Sequence, residues 1–240
     1  MMKNSVTMTL LSLIFLSLIA PIHASITVDG LIEQNIHVVY AIENINSTLY
    51  EEILEQKIFN NSTIPKAIET YFDEQNLENA EVDYDPAKEI FTNSTKSIHV
   101  EFYLSGSDII DSTFNPAAMT ETYDVETGWR KIHVNLTDGF SLDFAQYFEK
   151  SVSEWGITNY TINGEIHPTY LYDYPDSAML DPLCRFVLPA KAINIHAIKD
   201  TIVFELPIPL EDNLINSPFL VLGVLILVNI ALIAYRKIRR

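Results

Sequence analysis

Residues 98–104, Ile-His-Val-Glu-Phe-Tyr-Leu, indicate the fold most directly, because every second side chain is apolar. The even-numbered positions are all aliphatic or phenylalanine, whereas His99, Glu101 and Tyr103 occupy the odd ones. Successive side chains of a strand point to opposite faces, so this period of two predicts a half-buried β-strand. Residues 36–42 (IHVVYAI) predict a second strand of the same kind.

Further strands are predicted from short apolar runs bounded by turn residues. One hairpin is expected, with residues 120–125 and 129–136 flanking a turn at 126–128. The remaining predicted strands lie near 80–85, 157–163, 184–188 and 201–206.

Three helices are predicted from apolar side chains at helical spacing. The first begins at Thr48, which forms a capping box with Glu51. Pro65 suits the first turn of the second helix. The third runs from Ser141 to a stop at Gly156. The apolar stripe expected for this third helix consists of Phe144, Phe148, Val152 and Trp155.

This order of elements predicts an α+β class. We expect an extracytoplasmic module in which three helices pack on one face of an antiparallel sheet, together with one C-terminal transmembrane helix. Residues 105–118 (SGSDIIDSTFNPAA) resemble a long connection and are the candidate for an internal boundary between two halves.

The N-terminus is typical of a secretory signal peptide, residues 1–24. Lys3 precedes an apolar run from Leu10 to Ile22, and Ala24 offers a cleavage site. The run is too short to cross a bilayer comfortably, although an uncleaved N-terminal anchor is the alternative.

The C-terminus predicts a membrane anchor. Residues 217–235 are 19 consecutive residues without a charge, and they are followed by a basic cytoplasmic tail at 236–240. Because positive residues remain on the cytoplasmic side, residues 25–216 are expected to form an ectodomain outside the cell membrane. The predicted partner at this end is therefore the membrane itself.

The charge of the chain is strongly acidic, with 15 Lys and Arg against 32 Asp and Glu and a net charge of −17. All of the acidic residues lie within 25–216. Such a module does not bind nucleic acid by neutralising phosphates.

The sequence also contains N-x-[ST] sequons, which are consistent with a surface glycoprotein. An Asn- and Thr-rich surface is the alternative explanation. The sequon residues are Asn46, Asn60, Asn61, Asn93, Asn135 and Asn159.

Every histidine of the chain follows an isoleucine. Three of these, His37, His99 and His133, fall on predicted strands and face away from the predicted core. One interpretation is that Ile fills the core while His covers the outer face. The alternative is that the three imidazoles form a ladder that binds zinc or copper, or that responds to pH.

Two further features bear on binding. Cys184 is the only cysteine, so no internal disulfide forms, and we expect a buried thiol or an intermolecular disulfide. The run Tyr170-Leu-Tyr-Asp-Tyr-Pro predicts an aromatic loop in which Tyr170, Tyr172 and Tyr174 contact a protein partner.

The functional hypothesis is a single-pass, type I surface ectodomain that binds or organises other surface proteins without catalysis of its own. No nucleophile elbow, zinc-protease motif, P-loop or dinucleotide fingerprint occurs, so no cofactor is expected. The alternatives are a metal- or pH-responsive domain using the strand histidines, and a membrane-tethered hydrolase with a carboxylate pair.

Overall fold

The computed structural model of the chain describes residues 24–173 and 180–208. This part is mostly β-sheet, with 48% of it in strands and only three α-helices. The expected α+β class is therefore wrong. The helices are α1 (Ser47–Gln56), α2 (Thr63–Gln75) and α3 (Phe144–Tyr147).

The strands fall into three sheets in the described ranges. In chain order they are β1 (Ala24–Ile32), β2 (Ile36–Glu43), β3 (Glu81–Asp83), β4 (Phe91–Thr92), β5 (Ser97–Ser105), β6 (Ile110–Asn115), β7 (Thr120–Glu126), β8 (His133–Asn135), β9 (Ser141–Asp143), β10 (Gly156–Ile162), β11 (Glu165–Asp173), β12 (Leu180–Val187), β13 (Ile193–Ile198) and β14 (Thr201–Pro207).

The main sheet has eight strands in the order β10-β11-β12-β1-β2-β5-β3, with β4 beside β5. Strand β1 lies at its centre, pairs antiparallel with β2 and pairs parallel with β12. The parallel pair joins residues more than 150 positions apart, such as Asp29 and Arg185. The centre of the sheet is therefore formed by two segments that are far apart in the sequence.

The alternation that predicted β5 is confirmed. Its even-numbered residues from Ile98 to Leu104 are buried, while His99 and Tyr103 are exposed. Strand β1 shows the same alternation, with Ile26, Val28 and Ile32 fully buried. One face of the main sheet thus forms the core, and the opposite face remains accessible to solvent.

The first two helices occur where the periodicity predicts them. Helix α1 begins one residue before Thr48, because the side chain of Asn46 accepts a hydrogen bond from the Thr48 N–H at 2.9 Å. Helix α2 buries Ile64, Ile68 and Phe72.

The predicted third helix is wrong for most of its length. Residues 141–143 form β9, α3 covers only four residues, and residues 152–154 form a single 3₁₀ turn. The apolar residues of the predicted stripe are nevertheless buried, including Phe144 and Trp155. They were correctly identified as core, but successive short elements rather than one helix place them there.

The predicted connection at 105–118 and the predicted hairpin at 120–136 are also corrected. Residues 110–115 form β6, which pairs with β7. Strand β7 pairs on its other side with β14, in a sheet of order β13-β14-β7-β6. The chain turns at Gly128–Arg130 as a 3₁₀ helix because Trp129 and Arg130 are drawn into the core.

The hydrophobic core is continuous across these sheets. It joins Tyr40 and Phe186 of the main sheet to Val125 and Phe204 of the second sheet. Trp129 packs edge-on against Phe186, with ring centroids 5.7 Å apart. Residues on both sides of 105–118 therefore belong to the same hydrophobic core.

None of the helices in the described ranges has the length and apolar character needed to cross a membrane. The predicted transmembrane helix at 217–235 and tail at 236–240 lie outside those ranges, as do residues 1–23 of the predicted signal peptide.

Candidate functional site

The candidate site is the solvent-accessible face of the main sheet, which we call the outer face. The strand register aligns its side chains in rows that cross the sheet. The residues that define the outer face are Asp29, Leu31, His37, Val39, Glu101, Tyr103, Tyr160 and Arg185.

An ion pair occupies the middle of the outer face. Arg185 on β12 donates to both carboxylate oxygens of Asp29 on β1, with distances of 2.6 and 2.5 Å. The ring of Tyr160 on β10 lies over the guanidinium, 5.1 Å from its carbon. The hydrogen bonds that Arg185 donates to Asp29 raise the pKa of Arg185. This planar cation is held in one orientation by a bidentate partner and an aromatic ring.

A second cluster lies two strands away, where β2 meets β5. The Nε2 atom of His37 is 2.7 Å from Oε1 of Glu101, and Lys88 donates to the other oxygen of that carboxylate. Hydrogen bonding from Lys88, and then from His37, outweighs partial burial and lowers the pKa of Glu101. The His37 ring also stacks on Tyr103, with centroids 4.7 Å apart.

Two shallow depressions adjoin these clusters. One, of about 150 Å³, lies between Tyr160, Arg185 and His37. The other, of about 250 Å³, lies between Tyr84, Tyr103 and Glu101. Both are open grooves rather than deep cavities, which suits contact with another macromolecule better than enclosure of a small molecule.

The predicted histidine ladder is only partly assembled. His37 and His99 share the outer side of β2 and β5, but His37 pairs with Tyr103 and His99 pairs with Ala41, four positions along the strand. His133 lies on β8, in a separate two-stranded sheet. Within the described ranges, no group of three or more His, Cys, Asp or Glu residues is arranged to hold a metal ion.

Two members of the predicted tyrosine contact patch are not on the surface. Tyr170 and Tyr172 lie on β11 with exposures of 3% and 7%, and Tyr172 packs against Phe148 and Trp155. They fill the core because β11 is a strand and both rings project from its inner face. Tyr174 lies outside the described residues.

The sequon asparagines differ in accessibility. Asn60, Asn93, Asn135 and Asn159 are exposed, whereas Asn46 and Asn61 are half-buried. The Asn61 Nδ2 donates to the carbonyl of Pro86, and this is the atom to which a glycan is attached. Modification of Asn61 would therefore place a glycan directly beside Pro86.

The chemistry expected of a hydrolase is not favoured by this geometry. Asp29 and Glu101 lie in one row, but Arg185 neutralises the first and Lys88 the second. A general acid needs a raised pKa, and that of Glu101 is lowered. Cys184 is fully buried, and burial raises the pKa of its thiol, so it is not a nucleophile in this conformation.

Sequence reasoning missed the central members of the outer face. The alternation of Ile26, Val28 and Gly30 with polar residues in 24–32 would have identified β1 and placed Asp29 on the accessible side. No local sequence pattern identifies Arg185 as the partner of Asp29, because the parallel pairing of β1 with β12 connects distant segments.

Comparison with known proteins found no matching family model, no matching curated protein and no matching solved structure.

Proposed function

We propose that this chain is a membrane-anchored surface module that binds another surface protein through the outer face and has no catalysis of its own. The observation that carries this proposal is the ordered Tyr160–Arg185–Asp29 arrangement on an accessible sheet face. The extracytoplasmic location and the membrane anchor rest on the amino-acid sequence, in particular residues 1–24 and 217–240.

The composition of the outer face supports protein binding. Tyr and Arg are enriched at the energetic centres of interfaces. Here Tyr103 and Tyr160 retain exposures of 39% and 41%, and Arg185 is fixed by Asp29. Because ion pairs and stacking already order these side chains, little rotamer freedom is lost when a partner binds.

A photo-crosslinking amino acid at Tyr103 tests this function in the full chain, expressed in membranes of its source organism. We expect a discrete protein adduct after irradiation, with a several-fold lower yield when Tyr160→Ala is added. Position Glu69 on the exposed side of α2 is the matched control. The proposal would be overturned if positions 103 and 69 gave the same set of protein adducts, or if position 103 gave none.

The proposed topology has a separate test. Cleavage of the signal peptide would leave Ser25 as the first residue of the mature chain, and terminal sequencing of the membrane-bound protein reads this directly. A mature chain that begins at Met1 would instead support the uncleaved N-terminal anchor.

A second candidate function, a pH-responsive contact, is favoured by the 2.7 Å pair between His37 and Glu101 on the same face. Protonated His37 would strengthen this pair, whereas neutral His37 would leave Lys88 as the main partner of Glu101. The yield of the Tyr103 adduct would then depend on pH, and His37→Gln would remove the dependence. A yield independent of pH would rule out this candidate.

A further inference from the structure

Strand β10 is the terminal strand of the main sheet. It pairs with β11 from Gly156 to Ile162, and no described strand lies on its other side. The unpaired backbone groups of such an edge are a template for another strand.

The hairpin geometry shows which backbone groups are available. Asn163 and Gly164 both have positive φ, and Ile162 pairs with Glu165, as in a two-residue type I′ turn. Counting from this turn, the backbone N–H and C=O groups that point to β11 belong to Ile162, Tyr160 and Thr158. The groups that point outward, to the free edge, therefore belong to Ile157, Asn159 and Thr161.

An independent hydrogen bond supports this assignment. Pro168 lies opposite Asn159, and its carbonyl accepts a bond from the Leu188 N–H at 2.9 Å, on the side away from β10. Opposed residues of an antiparallel pair either both face each other or both face away. The backbone groups of Asn159 therefore face the free edge.

The other free edges in the described ranges carry features that discourage pairing. Strands β3, β8 and β9 have only three residues each and β4 has two, and β3 contains Glu81 and Asp83. Strand β6 carries Asp111, and the pairing of β13 shifts register between Ile193 and His196. By contrast, β10 has seven residues in regular register, with no charge and no proline.

We propose that the occupant of this edge is a second copy of the chain, with the two β10 strands antiparallel about a two-fold axis that passes between the two Asn159 residues. Outward residues must oppose outward residues, so Asn159 pairs with Asn159 of the partner subunit and Ile157 pairs with the other copy's threonine at position 161. This contact uses the backbone edge of β10, whereas the proposed outer-face binding uses side chains that include Tyr160 of the same strand.

The choice of a second copy rests on charge and on apolar surface. Two chains with a net charge of −17 repel each other, so a contact between copies is least opposed where carboxylates are absent. Strand β10 is such a segment. Ile157 and Ile166 are 51% and 61% exposed, and Thr161 pairs with Ile166 across the hairpin. Pairing at the two-fold axis therefore brings an Ile157 of one copy into the same cross-sheet row as Ile166 of the other.

The sequon at Asn159 adds a means of control. The two Asn159 side chains would lie next to each other beside the two-fold axis, so a glycan on each copy would separate the strands sterically. Self-pairing is therefore expected of the chain without a glycan at Asn159, and tethering to one membrane would raise the effective concentration of the two copies.

Disulfide trapping in the full chain, produced without glycosylation and reconstituted in lipid vesicles, tests the pairing. Hydrogen-bonded antiparallel pairs have Cα atoms about 5.5 Å apart, within disulfide range. We expect Asn159→Cys to form a linked dimer on the order of tenfold faster than Ser141→Cys, an exposed collisional control on β9. The native Cys184 is buried and does not interfere.

The register is tested by two more variants. Thr161→Cys alone should not link, because its symmetry mate lies about 14 Å away along the strand. A mixture of Ile157→Cys and Thr161→Cys chains should link in heterodimers. Linking of Asn159→Cys at the control rate would overturn the pairing, and equally fast linking of Thr161→Cys alone would overturn the register. Neither result bears on the Tyr103 adduct.

Discussion

Arg130 is a fully buried cation that joins three segments of the chain. Its guanidinium bonds to Asp200 at 2.8 Å and to the carbonyls of Thr127 and Lys150, each at 2.9 Å. It also lies over the ring of Trp155, 4.8 Å from the centroid. Removing one partner of a buried ion pair leaves the other charge uncompensated, so Asp200 is the more informative residue to change.

Asp200→Asn is predicted to lower the free energy of unfolding by about 3 kcal/mol, because Arg130 keeps its charge without a counterion. Chemical denaturation measures this loss, with Asp138→Asn at an exposed turn as the control. A loss no greater than that of the control would contradict the assigned role.

The same pair predicts a dependence on pH. Burial raises the pKa of Asp200, but the bonds from Lys131 and Arg130 outweigh it and lower the value below the ordinary 3.8. The stabilisation is therefore present above pH 3.8 and is lost as the pH falls through the lower folded-state pKa. The acid limb of the stability profile should be shallower in Asp200→Asn than in the wild type, and superimposable limbs would refute this.

Lys88 is predicted to set the ionisation of Glu101. Removing its hydrogen bond in Lys88→Ala should raise the pKa of Glu101 toward 4.5, since this bond is the largest cause of the lowering. Carboxyl NMR titration measures the change, and Lys66→Ala on the exposed side of α2 should leave it unaffected. An unchanged pKa in Lys88→Ala would mean that His37 alone holds the carboxylate.

At the scale of single elements, α1 depends on its N-cap. The Oδ1 atom of Asn46 accepts from the Thr48 N–H, and this satisfies one of the backbone donors left free at a helix start. Asn46→Ala should therefore lower the free energy of unfolding by about 1 kcal/mol in the unglycosylated chain. Asn135→Ala, at another sequon on exposed β8, is the control for thermal denaturation. Equal melting temperatures of the two variants would contradict the cap.

For the whole molecule, the continuous core predicts one cooperative unfolding transition. Phe186 packs between the two tryptophans, with centroids 5.7 Å from Trp129 and 5.6 Å from Trp155. Phe186→Ala should cost about 3–5 kcal/mol and shift far-UV circular dichroism and tryptophan fluorescence to the same lower midpoint. Phe114→Ala, on exposed β6, serves as the control. Separate midpoints for the two signals would show that the sheets unfold independently.

The amino-acid sequence by itself determined the elements whose signal is local. Strands β2 and β5 follow from period-two alternation, and α1 and α2 from apolar spacing and turn residues. The burial of Phe144 and Trp155 was also predictable, since an apolar stripe indicates a core whichever element carries it.

Only the tertiary structure decided how distant segments pair. The parallel contact of β1 with β12 creates the Asp29–Arg185 pair, buries Cys184 and makes β11 a strand whose tyrosines face the core. It also places β10 at the edge of the main sheet. Local periodicity indicates which side chains within a short segment are buried. Strand pairing depends instead on surfaces that meet only after the intervening chain has folded.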